Sequence, residues 1–155
     1  MRITILAIGK KHEPKLEAAI LDYTKRLGHY TQATWKLVEM KLGNSSAEEI
    51  KRAETKLLIA QIKPEDKVIL LDETGVQLSS PENAEKLQKH LNKGTKHLVF
   101  IIGGAYGVTD ELKTRADFIW SLSPLVFPHQ LVRLILVEQL YRAHTILASE
   151  KYHHA

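Results

Sequence analysis

The runs Lys67-Val68-Ile69-Leu70-Leu71 and His97-Leu98-Val99-Phe100-Ile101-Ile102 decide how this chain folds. After one polar residue neither run alternates, so as strands they present apolar side chains on both faces and need cover on both. The centre of a mostly parallel sheet between helices meets that need. Working outward, Ile3–Ile8, Thr34–Met40 and Asp117–Leu122 read as further strands, and 14–27, 46–62, 81–93, 110–115 and 128–147 as helices. Ser46-Ala47-Glu48-Glu49 reads as a capping box, Ser80 as a cap before Pro81, and Thr109 as the opening of the short fourth helix. Strands and helices alternate with no Gly/Ser/Pro-rich linker and no internal repeat. The prediction is α/β, with one domain over 1–155.

The last helix is the unusual one. From Pro128 to Arg142 apolar residues occupy every direction around its axis, so it is expected to be buried on most sides. At about 100° per residue, His129, Arg133 and His144 fall in one narrow arc, and Glu138, Arg142 and Thr145 fall opposite. A helix this apolar in a 155-residue chain is expected to pack on its own sheet and on a second subunit, which predicts a homodimer.

Composition narrows the chemistry. With 44% hydrophobic and 26% charged residues the chain is of ordinary globular make-up, which argues against disorder, collagen-like repeats and coiled coil. It contains no cysteine, which excludes disulfides, Cys-ligated metal and a thiol nucleophile and suits a reducing cytoplasm. No apolar run reaches the 18 or so residues of a membrane span, and the N-terminus lacks the apolar stretch of a signal peptide, so a cytoplasmic protein with no membrane partner is expected. The net charge is +4, all of it in residues 1–67, which hold 13 basic and 9 acidic side chains. Solubility is the leading explanation of that excess, and a phosphate-facing surface around Lys10, Lys11, Lys15, Lys25 and Arg26 is the sharper alternative.

Open α/β sheets bind ligands at the carboxyl ends of their strands. Three loops qualify: the acidic turn Leu71-Asp72-Glu73-Thr74-Gly75, the glycine loop Ile102-Gly103-Gly104-Ala105-Tyr106-Gly107, and Ser121-Leu122-Ser123-Pro124-Leu125-Val126-Phe127-Pro128-His129. The glycine loop is neither G-x-G-x-x-G nor a phosphate loop, so a dinucleotide site is disfavoured. Its adjacent glycines permit close approach of a ligand to backbone, and a plain strand-to-helix turn explains them as well. The third loop joins exposed backbone to Leu and Phe side chains, a composition suited to an adenine ring, or to a connection that merely caps the core.

Among titratable groups, His129 opens the last helix with Arg133 one turn on, and Glu138 and Arg142 have ion-pair spacing that is most often structural. Four of the eight histidines follow residue 128, two of them adjacent in the tail Lys151-Tyr152-His153-His154, which either frays or is ordered by a dimer. No metal-ligand spacing is present, and no metal is expected.

Ile102-Gly103-Gly104-Ala105-Tyr106-Gly107, the stretch Leu122 to Arg133, Glu138-Gln139-Leu140-Tyr141-Arg142-Ala143 and Tyr152-His153 together resemble the RlmH (YbeA-like) family, ribosomal large-subunit pseudouridine N3-methyltransferases of the SPOUT superfamily. The likeness begins at Ile3 and runs to the tail, with no distinctive motif between Met40 and the helix after Ala47. It implies an α/β fold whose C-terminal part threads a deep trefoil knot, an exception to the rule that chains avoid knots. It also implies a homodimer, and S-adenosylmethionine held by Leu71, Gly103 and the stretch Leu122, Ser123, Pro124, Leu125, Val126 and Phe127. The implied substrate is a pseudouridine of 23S rRNA in the assembled ribosome, as large subunit or whole particle, methylated at N3.

Methyl transfer to an imide nitrogen needs alignment with the methyl, a base for the proton, and a cation near the carbonyl oxygens that gain charge. By that reasoning His129 or His153 faces the proton, Arg133 and Arg142 hold phosphate or carbonyl, and Tyr152 positions the base. A net charge of only +4 offers few phosphate contacts, so naked RNA is expected to be a poor substrate. Three rivals stand beside this reading: a non-catalytic ribosome- or RNA-binding dimer, a SPOUT methyltransferase acting on another RNA, and a flavodoxin-like nucleotide binder.

Overall fold

In the computed structural model, which describes residues 1–154, the chain runs β1(Arg2–Ile8), α1(Pro14–Leu27), β2(Ala33–Val38), α2(Ala47–Ile59), β3(Lys67–Gln77), α3(Ser80–Asn92), β4(His97–Ile102), α4(Asp110–Arg115), β5(Phe118–Ser121) and α5(His129–Leu147). The last residue of the expected domain, Ala155, lies outside the described residues. The five strands form one parallel sheet in the order β2-β1-β4-β3-β5. That order differs from the flavodoxin-like 2-1-3-4-5 arrangement, which removes the basis of the third rival reading.

Period-two alternation sends each central strand to both sides. Ile3, Ile5, Leu98, Phe100 and Ile102 face one layer, where they meet Leu27 of α1, Ala84 and Leu87 of α3, and Leu136, Val137, Leu140 and Ala143 of α5. Leu6, Ile8, Val68, Leu70, Val99 and Ile101 face the other, against Leu58 of α2 and Leu112 of α4. Double cover is the reason the two deciding runs carry no polar alternation. Burying one such Leu, Ile or Phe contributes about 1.5–3 kcal/mol.

The structure moves two expected features. The cap of α3 is Ser79, one residue earlier than expected: its Oγ accepts from Glu82 N–H while Glu82 accepts from the Ser79 N–H at 2.7 Å. At α2, Ser46 accepts from Glu49 N–H at 3.2 Å. The larger departure is β3. The stretch 72–75, expected as a turn, is a bulged continuation of the strand: pairing with β5 breaks after Leu71 and resumes at Val76 opposite Trp120. Period-two hydrophobicity cannot signal this, because the bulged residues Asp72, Glu73 and Thr74 look like any polar turn. The Asp72 carboxylate, which accepts from both N–H and hydroxyl of Thr74, holds the bulge in shape.

Candidate functional site

Because the sheet is parallel, β3, β4 and β5 all end on the same side, and their three loops enclose one cavity of about 380 Å³. Its wall includes Leu71 and the acids Asp72 and Glu73 from the first loop, Gly103 to Val108 from the second, and Leu122, Ser123, Leu125, Val126 and Phe127 from the third. His129 and Val132 of α5 close it. Seven of the eight residues expected around a cofactor, all except Pro124, therefore line one space; Pro124 is exposed on the same loop. Leu125 is 69% and Val126 80% exposed, so the loop presents two adjacent apolar side chains at the mouth of the cavity. The loop is held in that pose from within: Ser121 Oγ donates to Ser123 O, and Leu125 N–H donates to Ser123 Oγ, each at 3.0 Å.

The glycine loop has a different reason for its composition than ligand approach. A Cβ on Gly103 would stand 2.8 Å from Val108 Cγ1, and one on Gly104 2.4 Å from Glu54 Oε1. The chain itself takes up the space. Glu54, on α2, was not singled out by any sequence pattern. Its Oε1 is sealed against Gly104 with no hydrogen-bond partner among the described residues, and burial pushes its carboxyl above the usual range. It also borders a second cleft, shared with the β1 loop Gly9–Glu13, Gly104, Ala105, His129 and Gln130, which adjoins the cavity across His129.

The five expected catalytic side chains do not gather in one place. His129 lies on the wall between the cavity and the second cleft, and burial, then the nearby Arg133 charge, holds its imidazole below the usual range. Arg133 is wholly buried. It donates to Ile8 O at 2.8 Å and Lys11 O at 3.0 Å, and its Nη1 lies 3.1 Å from His12 Nδ1, so phosphate cannot reach it in this conformation. It fixes the β1 loop to α5, helped by Gln130, whose Oε1 accepts from the Glu13 N–H at 3.0 Å. Gly9 makes room for it: with φ +137° and only 2.7 Å between a built Cβ and Arg133 Nη2, no side chain fits there.

Arg142, Tyr152 and His153 do assemble, but at the far end of α5. Arg142 donates to Glu138 Oε1 through Nε at 3.0 Å and Nη2 at 2.5 Å, and its Nη1 is 3.2 Å from His153 Nδ1. Tyr152 donates to the same Glu138 oxygen at 2.9 Å, lies 3.1 Å from Tyr23 Oη, and places its ring under the Arg142 guanidinium. Burial, then hydrogen bonding to Tyr23 and Glu138, pushes the Tyr152 phenol up; the hydrogen bonds from Arg142 to Glu138 do the same for the guanidinium. The tail is thus ordered by its own helix. Thirteen residues separate His129 from Arg142, about 20 Å along the axis, too far for one reacting atom to touch both.

Among the described residues no three His, Asp or Glu side chains group as metal ligands, and no helix is long and apolar enough to cross a membrane.

Known proteins resemble this chain in sequence and in fold. The sequence profile described as "Predicted SPOUT methyltransferase" matches residues 1–153. The chain is 44% identical over 156 residues to the ribosomal RNA large subunit methyltransferase H of Christiangramia forsetii, covering 99% of both chains. It is also 44% identical to the protein of that name from Pelobacter propionicus, covering 99% of this chain and all of the other. Among solved structures, a probable methylase family protein from Haemophilus influenzae superposes with TM-score 0.57 at 13% identity, covering 99% of this chain and 70% of that one, which shows a shared fold. A parallel sheet closed at its carboxyl end by three loops and a C-terminal helix is therefore no isolated solution: this chain belongs to the SPOUT methyltransferase family.

Proposed function

We propose that this protein uses S-adenosylmethionine to methylate N3 of a pseudouridine in 23S rRNA of the assembled ribosome. The observation that carries the reading is the convergence of three strand-end loops on one cavity whose wall joins apolar cover to two carboxylates. Its 380 Å³ is in the range of small-molecule sites. Leu71, Leu122, Leu125 and Val132 suit the faces of an adenine, and Asp72 and Glu73 suit a ligand with cationic sulfonium and ammonium groups. When bound there, the cofactor supplies a methyl group on a positively charged sulfur. Kinship with rRNA methyltransferases points to the RNA.

The chain's own part is alignment, proton removal and charge. His129, at the cavity edge, with burial and then the Arg133 charge holding its imidazole below the usual range, is the side chain this reading assigns to the imide proton. Arg133 acts through it as a positioning residue. Arg142, Tyr152 and His153 require a second subunit to take part. The outer stripe of α5, Leu131, Leu134 and Ile135 beside Glu138 and Arg142, is half-exposed and unpaired with either core. Two such stripes packed antiparallel bring one protomer's Arg142 end beside its partner's His129 end, and the site becomes whole in a homodimer. In this reading the segment carrying the 122–128 loop threads a trefoil knot, a cytoplasmic enzyme of one domain results, and no metal takes part.

The test is calorimetric titration with S-adenosylmethionine followed by methylation of purified ribosomes with labelled cofactor. Wild type is expected to bind the cofactor and label 23S rRNA, and a naked stem-loop transcript far less. His129→Ala is expected to lower turnover about 100-fold or more while cofactor affinity changes less than about threefold. Cofactor binding without any transfer to ribosomes would move the reading to another RNA, and absence of cofactor binding to a non-catalytic binder.

A further inference from the structure

The end of the sheet opposite the cavity carries its own cleft, about 790 Å³, between the starts of β1, β3, β4 and β5 and the last turns of α3. Six cations line it, Arg2, Lys67, Lys86, Lys89, Lys93 and Lys96, against three carboxylates. Two of those carboxylates are already engaged. Asp66 contacts His97 Nδ1 at 2.8 Å and accepts from the Lys63 N–H, while Asp117 pairs with Lys67 and Arg115 and accepts from the Val68 N–H. The third, Glu65, stands alone at the rim. Among the described residues, Arg2, Lys86, Lys89, Lys93 and Lys96 have no carboxylate within 4.0 Å.

Helix chemistry does not explain this concentration. The dipole at the end of α3 favours Lys89 and His90 in the last turn, but Arg2, Lys67 and Lys96 arrive from three other segments. Lys86, Lys89 and Lys93 share one stripe of α3. Lys86 stands over the Phe118 ring, Nζ 3.7 Å from its centroid, and burial together with the Lys89 and Lys93 charges pulls its ammonium down. His90, half-buried and facing Lys86, Lys93 and Lys67 with only Asp117 opposing them, is likewise held below its usual range, first by burial. Like charges crowded without counterions make the folded state self-repelling unless a polyanion completes them. A second copy packed through this same face would bring lysines onto lysines, which argues against a symmetric self-contact here.

We propose that this cleft docks the phosphodiester backbone of an RNA segment remote from the methylated nucleotide. The proposal rests on the ribosomal RNA reading above. Lys67 and His97 lie in the cleft, Leu71 and Ile102 in the cavity, so the two sites are separated by a strand length of about 13–16 Å. A flexible stem-loop bound at the cavity has no rigid second segment to offer there; an assembled ribosome does. The cleft thereby selects the folded particle over free RNA without reading any base.

The experiment compares full-length wild type with Lys89→Glu/Lys93→Glu/Lys96→Glu, and with the Gln triple in case reversal disturbs folding. Lys86 is left in place because it packs on Phe118. Binding to purified ribosomes is measured across a salt series, with cofactor titration and ribosome methylation kinetics on the same samples. The expected result is binding weakened more than tenfold by the Glu triple and less by the Gln triple, with the slope of log K against log salt reduced by about 2. KM for ribosomes should rise with kcat at saturation and cofactor affinity unchanged. Ribosome binding and KM unchanged in both triples would overturn the proposal, as would phosphatidylglycerol vesicles bound by wild type, lost in the triples, while ribosome binding stays. Wild type failing to methylate ribosomes overturns the functional reading instead, a result visible before any variant is made.

Discussion

Two arginines nine residues apart on α5 show how differently one helix uses the same side chain. Arg133 is wholly buried, has no carboxylate beside it, and gives its donors to the carbonyls of Ile8 and Lys11. Arg142 is half-buried, clamped to Glu138, and stands in a polar cluster with Tyr152 and His153. The first organises backbone; the second is held ready beside solvent. A buried cation without a counterion is costly, and burial lowers the Arg133 guanidinium from its ordinary value while its Nε finds no partner among the described residues. The chain retains that cost one turn from His129, whose imidazole is held below its usual range by burial first and by the Arg133 charge second.

The largest effect expected from this contrast is in function. Arg142→Ala should lower turnover on ribosomes about 100-fold or more with little change in melting temperature, because a partly exposed ion pair contributes about 0–1 kcal/mol. Arg133→Ala should do the reverse to stability: it strands two buried carbonyls at about 1–3 kcal/mol each, a fall of several degrees by thermal melting. Equal melting temperatures for the two variants would erase the distinction between them.

The smallest effect is a matter of pH. His12, His129 and His144 are held below their usual range, each first by burial, so the unfolded chain binds more protons than the folded one as pH falls below about 6.5. Stability should therefore decline from pH 7 toward pH 5, as chemical denaturation at each pH would reveal. His144, whose Nδ1 lies 2.8 Å from Leu140 O inside α5, contributes to that slope, and His144→Gln should flatten it. An unchanged slope would place the responsible protons on other groups.

The legibility of these features in the sequence follows the same division. Long apolar runs and helix caps are local signals, and the ten elements lie within a few residues of where periodicity places them, apart from β3. That three loops would border one cavity was legible because strand ends in a parallel sheet lie on the same side. Arg133, expected to hold phosphate or a substrate carbonyl, is buried on the backbone carbonyls of Ile8 and Lys11, since helical spacing groups it with His129 but cannot say which side the sheet occupies. Glu54 and the lysine cleft were missed for one reason: their members come from distant segments, α2 with the glycine loop in one case, β1, β3, α3 and β4 in the other. The charge excess of residues 1–67 pointed to Lys10, Lys11, Lys15, Lys25 and Arg26, whereas four of the five uncompensated cations, Lys86, Lys89, Lys93 and Lys96, lie on or just after α3, in a half with no net charge.

The strand order also sets a timetable. β1 pairs on one side with β2, but on the other with β4, joining Arg2 to His97. At about 5–20 residues per second, roughly 5–20 s of synthesis separate the two partners. For that interval one edge of an apolar strand waits open on the ribosome, the kind of particle on which the finished protein is proposed to work.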